Sequence, residues 1–186
     1  MYVNFADYSR GAAVATDLVN TSPIVRAAGD AVADPAALGA FLAAHDIQRD
    51  TNGTELALMH ALRDEVRAVL EADTEAEAVA GANALVEKAA RGPVLRQDEN
   101  RRWHWLVTTA PDAPLAHELA VLIGIGLLGT LRSLGFARFR PCASPACAGV
   151  FVDTSKAGRR RYCMPEVCGN RVNVANHRAR IRQQYV

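Results

Sequence analysis

The sequence predicts a mainly α fold: an α+β front domain over residues 1–135 with one small β-hairpin, then a hairpin-plus-helix module over residues 136–186. Three observations predict it. Apolar residues recur at helical intervals through most of the front region, bounded by capping residues. One aromatic-rich stretch breaks that rhythm around a polar turn. All four cysteines of the 186-residue chain, Cys142, Cys147, Cys163 and Cys168, lie in its last 45 residues.

The front elements follow in order. Gly11–Asn20, GAAVATDLVN, is a short amphipathic helix. Asp34 caps a second, which opens on Pro35, where a missing N–H leaves nothing unpaired, and runs to about Ala44. In TNGTELALMHALRDEVRAVLEA, the residues Leu58, Leu62, Val66 and Val69 share one helical face. Thr74 and Glu77 have the spacing of a capping box, each side chain meeting the other's backbone N–H, and the helix they open is expected to end near Gly92-Pro93. Val94-Leu95-Arg96 and Trp103-His104-Trp105-Leu106-Val107 flank the polar turn QDEN and form the hairpin. Beyond Pro111 and Pro114, HELAVLIGIGLLGTLRSLG is an apolar helix stopped by Gly135. Its longest apolar run, Leu119 to Leu131, has 13 residues, short of the about 20 that span a bilayer, so it reads as buried.

Composition narrows the class. Half the residues are hydrophobic, enough for a core. The first ten residues have neither the basic start nor the apolar run of a secretory leader. No membrane is expected, and the setting is the reducing cytoplasm, where clustered thiols are more often metal ligands than disulfides. The net charge of +1 conceals a division. Residues 1–135 hold 11 Lys/Arg against 18 Asp/Glu, whereas residues 136–186 hold 10 against 2. Such asymmetry suggests two modules, one of which meets a polyanion.

The tail reads C-x4-C, 15 residues, C-x4-C. Four thiolates in two close pairs suit one structural Zn2+ held tetrahedrally by Cys142, Cys147, Cys163 and Cys168; two disulfides or four separate core thiols are the alternatives. Between the pairs, GVFVDTS alternates, Lys156-Ala157-Gly158 turns and RRRYC is expected to return as the second strand. Pro165-Glu166 opens a helix that carries Cys168, giving a treble-clef-like zinc finger. His177 reads as a surface residue, and Val167, Val174 and Ile181 form a stripe expected to dock the helix on the hairpin. Arg171, Arg178 and Arg182 line one side of the helix, with Asn173, Asn176 and Arg180 on an adjacent one. Arginine and asparagine make paired hydrogen bonds to guanine and adenine edges, and Arg159, Arg160 and Arg161 would neutralise phosphates. A helix basic for solubility, or packed on the acidic front, is the alternative.

CGNR (residues 168–171), followed by HRAR (177–180) and preceded by C-x4-C-x3-F-x-D (142–153), resembles the bacterial CGNR zinc-finger family. ATDLVNT (15–21) resembles the N-terminal signature of the ABATE domain that forms the front of that family, and the order of elements also matches. The resemblance implies a stress-induced transcription regulator that binds zinc and DNA, with the four cysteines as ligands and Asn170 and Arg171 as motif positions. Tyr162 stands where the family often has tryptophan, and Asn173 where lysine is common, which removes one candidate phosphate contact.

Asn20 and Thr21 read as helix-end caps, or as polar groups of a small-molecule pocket that includes Trp103 and Trp105; a tryptophan pair is more often core. His45, His60 and His117 have no catalytic or metal spacing, and no P-loop or Rossmann fingerprint occurs, so no enzyme is expected. The glycines of GIGLLG suit close helix packing. The function expected is a cytoplasmic transcription regulator whose finger contacts DNA and whose front domain senses a small molecule or forms a homodimer. The alternative is a protein- or RNA-interaction module.

Overall fold

A computed structural model describes residues 1–5 and 7–184, and of 176, 179 and 182–184 the backbone alone. Its elements are β1 (Tyr2–Asn4), α1 (Tyr8–Val19), α2 (Pro35–Ala43), α3 (Gly53–Leu70), α4 (Glu75–Glu87), β2 (Ala90–Gln97), β3 (Trp103–Thr109), α5 (Leu115–Leu134), β4 (Phe139–Pro141), β5 (Val150–Val152) and α6 (Asn170–Gln184). The fold is mainly α with two small antiparallel sheets.

The helix boundaries follow from their caps. The Asp34 carboxylate accepts the Ala37 N–H at 2.7 Å, and Thr74 and Glu77 form both halves of the capping box. α5 is the central helix. By length and composition it is apolar enough to cross a bilayer, but 78% of its apolar window is buried inside the protein. Its glycines set how near the neighbours come. A Cβ on Gly126 would stand 2.6 Å from the Gly11 backbone of α1, and one on Gly124 would stand 2.8 Å from the Ala82 carbonyl of α4. GIGLLG is therefore a packing seam, as the sequence suggests.

Three readings of the front region are corrected. α4 ends at Glu87, and Gly92-Pro93 lies inside β2, where a bulge between Arg91 and Pro93 interrupts the ladder and accommodates a residue with no N–H to donate. β1 was not anticipated: Tyr2, Val3 and Asn4 pair with Thr108, Val107 and Leu106, making the sheet order β1-β3-β2. Trp103 and Trp105 are not core. Burial on their face of β3 stops at Val107, and beyond it they are 61% and 59% exposed, beside Leu95 of β2.

The finger's hairpin is also not the expected one. β5 pairs with β4, Phe139 opposite Val152 and Pro141 opposite Val150, so the first cysteine pair sits in the hairpin loop. RRRYC forms no strand; it runs past that loop with the Arg161 carbonyl accepting the Ala143 N–H at 2.8 Å. The turn at Lys156–Gly158 is present, with Gly158 at φ +60°. Val150 and Val152 enter the same core as α1, α3 and α5, while Phe151 enters a second cluster among the cysteines. The expected docking of α6 through its apolar stripe does not occur. Val167, Val174 and Ile181 are 41%, 48% and 41% exposed, and among the described residues the main neighbour of α6 is the wide helical turn Pro165–Gly169 that leads into it.

Candidate metal centre

Each pair of cysteines is presented by its own backbone device. In the β4–β5 loop, Cys142 donates its N–H to the Gly149 carbonyl at 2.7 Å and Cys147 donates to the Ser144 carbonyl at 3.0 Å, closing a tight knuckle. The second pair brackets the start of the helical turn Pro165–Gly169 that leads into α6, where Cys168 donates to the Met164 carbonyl at 2.8 Å. The four sulfurs all lie within 4.8 Å of one another. Cys147, Cys163 and Cys168 are mutually separated by 3.6, 3.7 and 3.8 Å.

Those spacings decide between the alternatives. A disulfide would need about 2.05 Å, and none is formed. A tetrahedron with metal–sulfur bonds of about 2.3 Å has edges of about 3.8 Å, which the three separations among Cys147, Cys163 and Cys168 match, with Cys142 within 4.8 Å of each. Burial first, and then the neighbouring sulfurs, push the Cys163 and Cys168 thiols up from their ordinary range. Thiolates so crowded and so dry need a cation among them. One structural zinc held by Cys142, Cys147, Cys163 and Cys168 satisfies both the geometry and the charge, and with four protein ligands it leaves no open position. The exposed His177 lies on α6 outside the cluster, as expected of a surface residue.

A second set of contacts, without an assigned role at the sequence level, holds the finger's loops. Asp153 is fully buried and accepts from the Ser155 N–H at 3.0 Å, the Ser155 hydroxyl at 2.5 Å, the Arg160 N–H at 3.0 Å and Arg140 Nη1 at 3.2 Å. Burial alone would push its carboxyl up; the Ser155 and Arg160 hydrogen bonds and the Arg140 charge outweigh that and hold it below the usual carboxylate range. The signal in the sequence was that Asp153 is one of only two acidic residues after Gly135.

The expected nucleic-acid residues divide into two groups. Arg159 and Arg161 are exposed, the latter's guanidinium 5.7 Å from the Tyr162 ring. Arg160 is occupied internally: it donates to the Tyr162 carbonyl at 3.0 Å and to the Cys163 carbonyl, and stacks over Phe151 at 4.9 Å. On α6, Asn170, Arg171, Asn173, Arg178 and Arg180 are all exposed, and Asn170 also donates to the Glu166 carbonyl at 2.6 Å. The side chains of Asn176 and Arg182 lie outside those described.

The four candidate pocket residues do not converge. Asn20 and Thr21 are 2% and 4% exposed and bonded, Thr21 donating to the Leu18 carbonyl at 2.6 Å and accepting from Arg63 at 3.1 Å. Trp103 and Trp105 stand on the exposed end of the hairpin. A cleft of about 450 Å³ lies elsewhere, between α3 and α4, floored by Val69, Gly81 and Leu85 and rimmed by Glu65 and Glu77.

Two family models match the chain in order. One, ABATE, "Putative stress-induced transcription regulator", covers residues 12–128, more than half of the chain; the other, the CGNR zinc finger, covers residues 138–181. No curated protein matches. With the four-sulfur cluster inside the second matched segment, the chain belongs to the ABATE family and carries a CGNR zinc finger.

Proposed function

We propose that the protein is a transcription regulator that grips duplex DNA with α6. The observation that carries this reading is the state of that helix. It follows directly on the turn that carries Cys168, its main neighbour among the described residues is that turn, and its sequence from Asn170 to Gln184 contains no acidic residue. Arg171, Asn173, Arg178 and Arg180 are exposed along it. Val174 and Ile181 sit between the arginines on the exposed side, where apolar side chains suit thymine methyl groups as arginines suit guanine edges. Arg159 and Arg161 supply further positive charge for phosphates. Arg160 contributes through the loop it holds.

In this reading the front domain has no catalytic task. It receives a small effector or pairs with a second copy in the cytoplasm, and the α3–α4 cleft is the place to look for an effector. The apolar content of the α6 stripe is the observation that favours the second reading, a protein partner in place of DNA.

Duplex binding as a function of salt separates the two. For a helix contacting several phosphates, log K falls with log salt at a slope of about −0.9 per contact. The double variant Arg171→Ala, Arg178→Ala should flatten that slope and weaken binding by at least tenfold, with zinc content unchanged. Retention of duplex that ignores salt and both substitutions would overturn the proposal in favour of a protein partner.

A further inference from the structure

One wall of the zinc site is built by the front domain. Asn20, at the C-terminal end of α1, donates one amide hydrogen to the Thr16 carbonyl at 2.6 Å and the other to the Val150 carbonyl at 2.7 Å. The Thr16 hydroxyl accepts the Val152 N–H at 3.0 Å, so α1 occupies the place of a neighbouring strand along β5. From α3, Arg67 Nη2 donates to the Ala148 carbonyl at 2.7 Å, directly after Cys147. The turn that follows α1 sends Val25 into the apolar cluster of Cys142, Phe151, Cys163 and Cys168, and Arg26 braces that turn by donating to the Asn20 carbonyl at 3.0 Å.

These contacts meet at Gly149. A Cβ there would lie 2.4 Å from Cys163 Sγ and 2.6 Å from Asn20 Oδ1, so a metal-binding sulfur and the front-domain amide approach the same α-carbon. The Gly149 N–H points at Cys147 Sγ at 3.3 Å. The segment 147–150 is therefore held from one side by the cysteine cluster and from the other by α1 and α3. These three links from α1 and α3 all end on finger backbone, at Ala148, Val150 and Val152.

We infer that Asn20 and Arg67 are positioning residues of the zinc site, and that metal occupancy is coupled to the packing of the front domain. Zinc fixes the knuckle in the shape that α1 and α3 grip; the grip in turn holds Cys147 where the metal needs it. Loss of a partner behind a metal ligand commonly costs about 10- to 100-fold in metal affinity. Coupling of this kind is reciprocal, so whatever displaces α1 or α3 loosens the metal, and loss of the metal loosens α1. The inference is independent of what α6 binds.

The test uses the full chain. Zinc affinity is measured by competition with a chromogenic chelator, and the sulfur environment by the charge-transfer bands of the cobalt(II)-substituted protein. Asn20→Ala and Arg67→Met should each lower zinc affinity by tenfold or more. Leu38→Ala, a core position in α2, should lower thermal stability while leaving zinc affinity within twofold of wild type. In the wild-type protein, stripping zinc at neutral pH should speed amide exchange through residues 14–20. Should Asn20→Ala fail to fold, Arg67→Met, in the last turn of α3, carries the test, with Glu71→Gln, which removes only the Arg67 ion pair, expected to leave zinc affinity within twofold. Affinities within twofold for both Asn20→Ala and Arg67→Met would overturn the inference. So would an equal loss of zinc in Leu38→Ala, which would make the effect one of general stability.

Discussion

At the residue scale, Asp153 shows how a single carboxylate organises a loop otherwise rich in arginine. It joins Ser155, Arg160 and Arg140, and Arg160 passes the constraint on to the carbonyls of Tyr162 and Cys163. Asp153→Asn should cost about 2 kcal/mol, the scale of a hydrogen bond to a charged group, with unfolding by denaturant as the measurement. The pH dependence has a definite sign. Because the folded carboxyl titrates below its ordinary value near 3.9, its contribution is complete above that value and is lost as the pH falls below it. The stability of Asp153→Asn should therefore fall less steeply than that of wild type on acidification below about pH 4. The cysteines permit a sharper prediction. Cys163→Ser should release the metal and unfold the tail, since binding energy at a structural site is folding energy; elemental analysis and tail amide exchange read both.

At the element scale, local chemistry was legible where it is self-contained. The capping box at Thr74 and Glu77 and the cap at Asp34 involve residues three apart, and both formed as read. Pairing between distant segments was less legible. Val150 to Asp153 alternate as a strand should, but Val150, Phe151, Val152 and Asp153 are all buried, so alternation says nothing about which neighbour supplies the partner. The three-residue β4, with arginine and proline in it, carries no strand signal, and β1, although it holds Tyr2 and Val3, is too short to show a pattern. The tryptophans misled because Trp103, Trp105 and Val107 form an apolar row on one face of β3, of which only Val107 is buried. The seam of α1 on α5 makes a prediction of its own. Gly126→Ala places a methyl 2.6 Å from the Gly11 backbone, where no side chain can yield, and should lower stability by about 1–3 kcal/mol in a thermal melt.

At the scale of the whole molecule, the division of charge between the two parts of the sequence does not mark a division of packing. The acidic front and the basic tail share a core through Val150 and Val152, and α1 serves as the neighbour of β5. The polar half of that junction was hard to read from the sequence because Asn20, Thr16 and Arg67 meet finger backbone, which looks the same whatever the side chains are. The cysteine spacing, by contrast, pointed to the metal ligands from the start, and the sulfur separations exclude the two disulfides that the spacing left open. X-ray absorption at the zinc edge of the purified protein tests this most directly. The account predicts one zinc per chain with four sulfur neighbours at about 2.3 Å, and a shell containing nitrogen or oxygen, or a folded tail without metal, would contradict it.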